Sequence, residues 1–76
     1  MDKIYEILKT LRPENDYTKS TNYIEDGLLD SFDIISIISE FESQFDIMID
    51  ALDIVPENFV SVEAMADLIR KNGGTI

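Results

Sequence analysis

Asp30-Ser31-Phe32-Asp33-Ile34-Ile35-Ser36-Ile37-Ile38-Ser39-Glu40-Phe41 lies in the middle of the chain and invites two readings, strand or helix. Its four isoleucines are β-branched and individually favour a strand. Their order decides otherwise. The doublets at 34/35 and 37/38 break strand alternation, whereas Ile34, Ile37, Ile38 and Phe41 recur at i, i+3, i+4 and i+7, with Phe45 one turn beyond. The spacing predicts a helix with a wide apolar face, as suits the central helix of a small bundle. Asp30 is the expected N-cap, with Asp33 three residues on, which makes Ser31 the first residue of the helix.

Two further segments carry the same period. Ile4, Ile7, Leu8 and Leu11 predict a first helix with Asp2 as its N-cap, stopped by Pro13 through its restriction of Arg12. Val62, Met65, Ala66 and Ile69 predict a last helix capped by Ser61, finished by Arg70 and Lys71, which suit the helix dipole, and stopped at Gly73-Gly74. Between the first two helices, residues 13–29 are rich in turn formers, among them Pro13, Asn15, Asp16, Asn22 and Gly27. A loop of that length in a compact domain has to be pinned or functional. Tyr17, Tyr23, Ile24, Leu28 and Leu29 are the expected pins. Pro56-Glu57-Asn58-Phe59, with proline leading, predicts a brief helix before the last one. The expected fold is a single all-α domain over residues 1–76, a four-helix bundle with a long first loop and a short third helix.

Composition narrows the function. Seventy-six residues allow one modest core, since a chain of this size buries only about 60% of the surface its unfolded form exposes. Hydrophobic residues make up 45% of the chain, enough for a folded domain despite a net charge of −10. The charge is unevenly placed: from residue 20 to residue 69 there are 50 residues without lysine or arginine, and they carry twelve acids. Such a field repels nucleic acid and anionic membranes and steers basic partner surfaces inward. The N-terminus lacks the basic and apolar regions of a signal peptide, and no apolar run reaches membrane-spanning length. These features, with the absence of cysteine, lead to the expectation of a cytoplasmic monomer.

Catalytic and metal chemistry find little support in the residues. The chain has no histidine and no cysteine. A nucleophilic serine needs a base to take its proton, and Ser31 is flanked only by carboxylates. Paired acids such as Asp30 with Asp33, or Glu40 with Glu42, are expected to be solvated, with no neighbour to shift their pKa values. A calcium loop beginning at Asn22 fails at Ile24, which offers no side-chain oxygen at the third position. Glycines are too few and wrongly placed for a phosphate-cradling loop. The phenylalanines, Phe32, Phe41, Phe45 and Phe59, fit a core that could also shelter an apolar chain. Ser31 reads as a residue that another enzyme modifies.

The order of these features resembles the acyl carrier protein family over almost the whole chain. The resemblance rests on the long first loop, Asp30-Ser31-Phe32 opening helix two, Phe45-Asp46-Ile47 closing it, Pro56-Glu57-Asn58-Phe59 and the short last helix. In that family the serine of an Asp-Ser-Leu motif carries 4′-phosphopantetheine. The resemblance therefore implies that Ser31 holds this arm through a phosphodiester and that its thiol carries acyl or aminoacyl cargo. Phe32 stands at the leucine position, where a bulky apolar side chain is expected to pack beneath the loop. The resemblance also implies a phosphopantetheinyl transferase and basic biosynthetic enzymes as partners, docking on helix two through Asp30, Asp33, Glu40 and Glu42. Ser36, Ser39 and Ser43 dilute that face, and with the spacing of residues 47–61 they lean toward a stand-alone carrier of a polyketide, nonribosomal peptide, amino acid or lipid-modification pathway. Ordinary divergence of a fatty acid carrier accounts for the same residues. A different class stays open beside the carrier: an acidic interaction module that uses helix two without a covalent arm.

Overall fold

The computed structural model describes residues 2–18 and 20–75, and these form an all-helical domain without strands among the described residues. Three α-helices, α1 (Asp2–Leu11), α2 (Ser31–Phe45) and α3 (Val62–Lys71), are joined by the long loop and by a segment with two 3-10 turns, Ala51–Asp53 and Pro56–Phe59. The expected four-helix bundle is thus corrected. The proline-led segment closes as one 3-10 turn of four residues, too short to bury an amphipathic stripe as a fourth α-helix. A second turn forms at Ala51–Asp53, and the Asp50 side chain caps it by accepting from the Leu52 N–H at 2.9 Å.

α1 is the helix that packs on both α2 and α3, and the Pro56–Phe59 turn packs on α3. The central position expected for α2 therefore belongs to α1. Ile4, Ile7 and Leu8 of α1 are buried, and Ile37 and Phe41 of α2 meet a core completed by Phe59, Val62, Met65, Ala66, Leu68 and Ile69. Ile34, Ile38 and Phe45 are partly buried against it, while Ile35 is 65% exposed, so only part of the wide apolar face of α2 is covered. Burial gives the β-branched residues of α2 a reason to remain helical, since tertiary packing outweighs their weak local preference. The Cα radius of gyration, 11.2 Å, is that of a compact chain of this length, about 11 Å.

The helix ends follow local chemistry. Asp2 stands inside the first turn of α1 rather than ahead of it, and residue 1 lies outside the described residues. Ser61 caps α3 by accepting from the Ala64 N–H at 3.1 Å. Gly73 follows α3 with φ +92°, a backbone region that glycine enters without strain. α2 ends differently: Asp46 is left-handed, with φ 54° and ψ 51°, and its N–H donates to the Glu42 carbonyl.

The first loop is pinned by the residues expected to do so. Tyr17, Tyr23 and Leu29 are buried, and Ile24 and Leu28 pack against the core. The two tyrosine rings meet edge to face at 5.3 Å, and the Tyr23 hydroxyl donates to the Tyr17 carbonyl at 2.7 Å. Burial pushes both phenols above their ordinary pKa. The Tyr23 N–H donates to the Val60 carbonyl at 2.8 Å, which ties the loop to the segment before α3. Gly27, at φ +76°, turns the chain back so that the Leu28 and Leu29 N–H groups reach the Tyr23 carbonyl. The loop thus delivers Asp30 to the start of α2 from a fixed direction.

Candidate functional site

Ser31 is the first residue of α2 and is exposed. Ahead of it, Asp30 adopts an extended backbone and caps the helix: its Oδ1 accepts from the Asp33 N–H at 3.1 Å, while the Asp33 Oδ2 accepts from the Asp30 N–H at 3.0 Å. This reciprocal capping box fixes the backbone on both sides of the serine. With the Asp33 amide taken and the Ile34 amide donating to the Asp30 carbonyl at 3.0 Å, the Ser31 and Phe32 amides are those left for an anion at this helix start.

The second oxygen of each carboxylate turns to Arg12, at the C-terminal end of α1. The Arg12 Nε donates to Asp33 Oδ1 at 2.9 Å, and an Arg12 terminal nitrogen lies 3.5 Å from Asp30 Oδ2. Glu14 adds a third carboxylate at 3.4 Å. Asp33 is therefore not solvated as expected: it is 8% exposed. Burial by itself would raise its pKa, but hydrogen bonds from Arg12 and the Asp30 amide, with the guanidinium charge, hold the carboxyl below its ordinary value. The bond to Asp33 leads the contacts that raise the pKa of Arg12.

The four acids expected to dock partners are all engaged within the fold. Asp30 is exposed but caps α2, and Asp33 is buried in the same box. Glu40 accepts from the Gln44 amide at 2.7 Å, and Glu42 accepts from the Ile49 N–H at 3.0 Å, holding the chain as it leaves α2. Phe32 corrects a second expectation. It does not pack beneath the loop but stands 81% exposed beside Ser31.

An open apolar groove begins at the serine. Ser31, Ile34 and Ile35 form one wall, and Ile54, Val55 and Pro56 form the other, enclosing about 250 Å³. That is somewhat below the roughly 300–1,000 Å³ of pockets that hold drug-sized ligands, so it suits a narrow chain lying along it. The opposite wall is held by Asp53, whose carboxylate accepts from Lys71 at 2.7 Å and whose carbonyl accepts from the Asn58 amide at 2.6 Å. Among the described residues no group of three or more acids could hold a metal ion, and no helix is long and apolar enough to cross a membrane.

Arg12 is the site residue that sequence reasoning missed. Its signal was its rarity, as one of six basic residues, together with its place at the stop of α1 before Pro13. Spacing alone does not reveal that α1 ends against the start of α2. Neither a protein family, a curated protein nor a solved structure matches this chain.

Proposed function

We propose that this domain is a carrier whose Ser31 receives a 4′-phosphopantetheine arm from a transferase and whose thiol then bears acyl or aminoacyl intermediates between biosynthetic enzymes. The observation that carries the reading is the setting of Ser31: an exposed hydroxyl at the first residue of a capped 15-residue helix, opening onto an apolar groove. The residues fit the group. Amides and the positive end of the helix dipole favour a phosphodiester there, and the groove offers the arm or its cargo an apolar wall. When attached, the arm would supply the thiol that this cysteine-free chain lacks.

Ser31 has no base of its own, because the carboxylates beside it are occupied by backbone amides and Arg12. The proton of its hydroxyl leaves through the transferase, so the domain is a substrate of that enzyme and not itself a catalyst. Asp30, Asp33, Glu40 and Glu42 give the docking side its negative sign, Asp30 from an exposed position and Asp33 from a buried one. The reading extends to a specialised pathway, for which the exposed Ser36, Ser39 and Ser43 are the support.

The test is incubation with coenzyme A and a broad-specificity phosphopantetheinyl transferase, read by intact mass. The wild type gains one phosphopantetheinyl group and Ser31→Ala gains none. A wild type that stays unmodified leaves the second reading, an interaction module without an arm, for which the exposed Phe32 and Ile35 would form the contact surface.

A further inference from the structure

We propose that Arg12 is a positioning residue for modification of Ser31, acting through the two carboxylates that flank the serine; the inference rests on the carrier reading above. The geometry is a division of labour. Asp30 and Asp33 each give one oxygen to the other's backbone N–H and turn an oxygen toward the same guanidinium, at 3.5 Å and 2.9 Å. Asp33 Oδ1 and Oδ2 serve different partners, so moving the guanidinium would move the carboxylate that holds the Asp30 amide.

Arg12 is itself held in place. Its N–H donates to the Leu8 carbonyl at 2.8 Å, which extends the bonding of α1, and its carbonyl accepts from the Tyr17 hydroxyl at 3.2 Å. Tyr17 is in turn held by Tyr23, so a chain of contacts runs from the loop core to the capping box. A planar fork suits this task better than an ammonium, since it can address two carboxylates from fixed directions.

The guanidinium also changes the field at the serine. In the group transfer, Ser31 Oγ attacks the coenzyme A pyrophosphate phosphorus that bears the pantetheine. The Oγ–P bond forms, the P–O bond to 3′,5′-ADP breaks, and the hydroxyl proton passes to a base on the transferase. The incoming and departing groups are anionic, and two uncompensated carboxylates beside the hydroxyl would repel them. Arg12 offsets that repulsion where the phosphodiester forms.

The experiment compares wild type, Arg12→Gln and Arg12→Lys with coenzyme A and the same transferase. Initial rates are taken from intact mass over a range of carrier concentrations, well below each variant's melting temperature. The expected result for Arg12→Gln is a fall of about tenfold in kcat with KM for the carrier changed less than about twofold, as for an interaction that matters when the bond forms. Arg12→Lys recovers part of the loss through its charge. Amide hydrogen exchange at Asp30 and Asp33 quickens in Arg12→Gln while exchange in α3 does not, which separates loss of position from general loosening. Unchanged kcat in Arg12→Gln, or a change in KM alone, with the wild type modified normally would overturn this inference and leave the carrier reading intact. An unmodified wild type would overturn both.

Discussion

Replacing Asp30 by alanine isolates the cap that holds Ser31 at the head of α2. The side chain makes two contacts: its Oδ1 accepts from the Asp33 N–H at 3.1 Å, and its Oδ2 lies 3.5 Å from Arg12. Loss of an N-cap costs about 1 kcal/mol. The ion pair is long and joins two solvent-accessible side chains, 38% and 59% exposed, so it adds little. Removing one negative charge from an acid-rich chain offsets part of that. The expected net loss is about 1 kcal/mol, equivalent to a melting temperature lower by about 4–8 °C in a domain of this size. Asp30→Asn keeps an oxygen that can cap, and asparagine caps about as well as aspartate, so it should lose less than half as much. Thermal unfolding by circular dichroism reads both. Equal losses in the two variants would mean that charge rather than capping holds the helix start, and no loss in Asp30→Ala would refute the cap.

Three further outcomes follow from the charges and helix ends. Asp46→Gly should raise stability by about 0.5–1 kcal/mol, because φ 54° suits glycine better than aspartate and a negative charge leaves the C-terminal end of α2; an unchanged or lower urea midpoint would contradict this. Asp33→Asn should cost about 1–3 kcal/mol at pH 7, because the carboxylate accepts from both Arg12 and the Asp30 N–H, and an amide with one acceptor oxygen leaves one of these two donors facing its NH2 group. Its folded-state pKa lies below the ordinary 3.8, so the carboxylate's contribution is full above about pH 5 and fades as pH falls through the folded value. The gap between wild type and variant in urea titrations should therefore shrink at low pH, and a gap that widens there would count against the pairing. Salt should raise the melting temperature, because the screening length drops from about 30 Å at 0.01 M to about 8 Å at 0.15 M, against molecular dimensions of 29 × 23 × 19 Å. A flat response would show that the acids are too well spaced to repel.

What the sequence disclosed depends on how local the cause is. The stripes of α1, α2 and α3 and the cap at Asp30 are set within one or two helical turns, and they read directly from Ile4 to Leu11, Ile34 to Phe41 and Val62 to Ile69. The loop pins were legible because large apolar residues in a turn-rich stretch have few places to go but the core. Long-range arrangement was not legible. Nothing in the spacing says that α1 rather than α2 packs on both neighbours, that Phe32 turns outward, or that Arg12 reaches across 21 positions to Asp33. The Pro56–Phe59 segment is legible as a turn of helix but not as a 3-10 rather than an α turn, since proline starts either. At the site, the position of Ser31 and the capping role of Asp30 were readable, whereas the internal duties of Glu40 and Glu42 depend on Gln44 and on the return of Ile49.

The central claim is that position at a capped helix start, beyond mere exposure, makes Ser31 the attachment residue. Ser36, Ser39 and Ser43 are exposed on the same helix and serve as internal controls. The deciding measurement is fragmentation mass spectrometry of the wild-type domain after reaction with coenzyme A and a broad-specificity transferase. The account predicts a single phosphopantetheinyl group localised to Ser31. A group on any of the other three serines, or none at all, would contradict it.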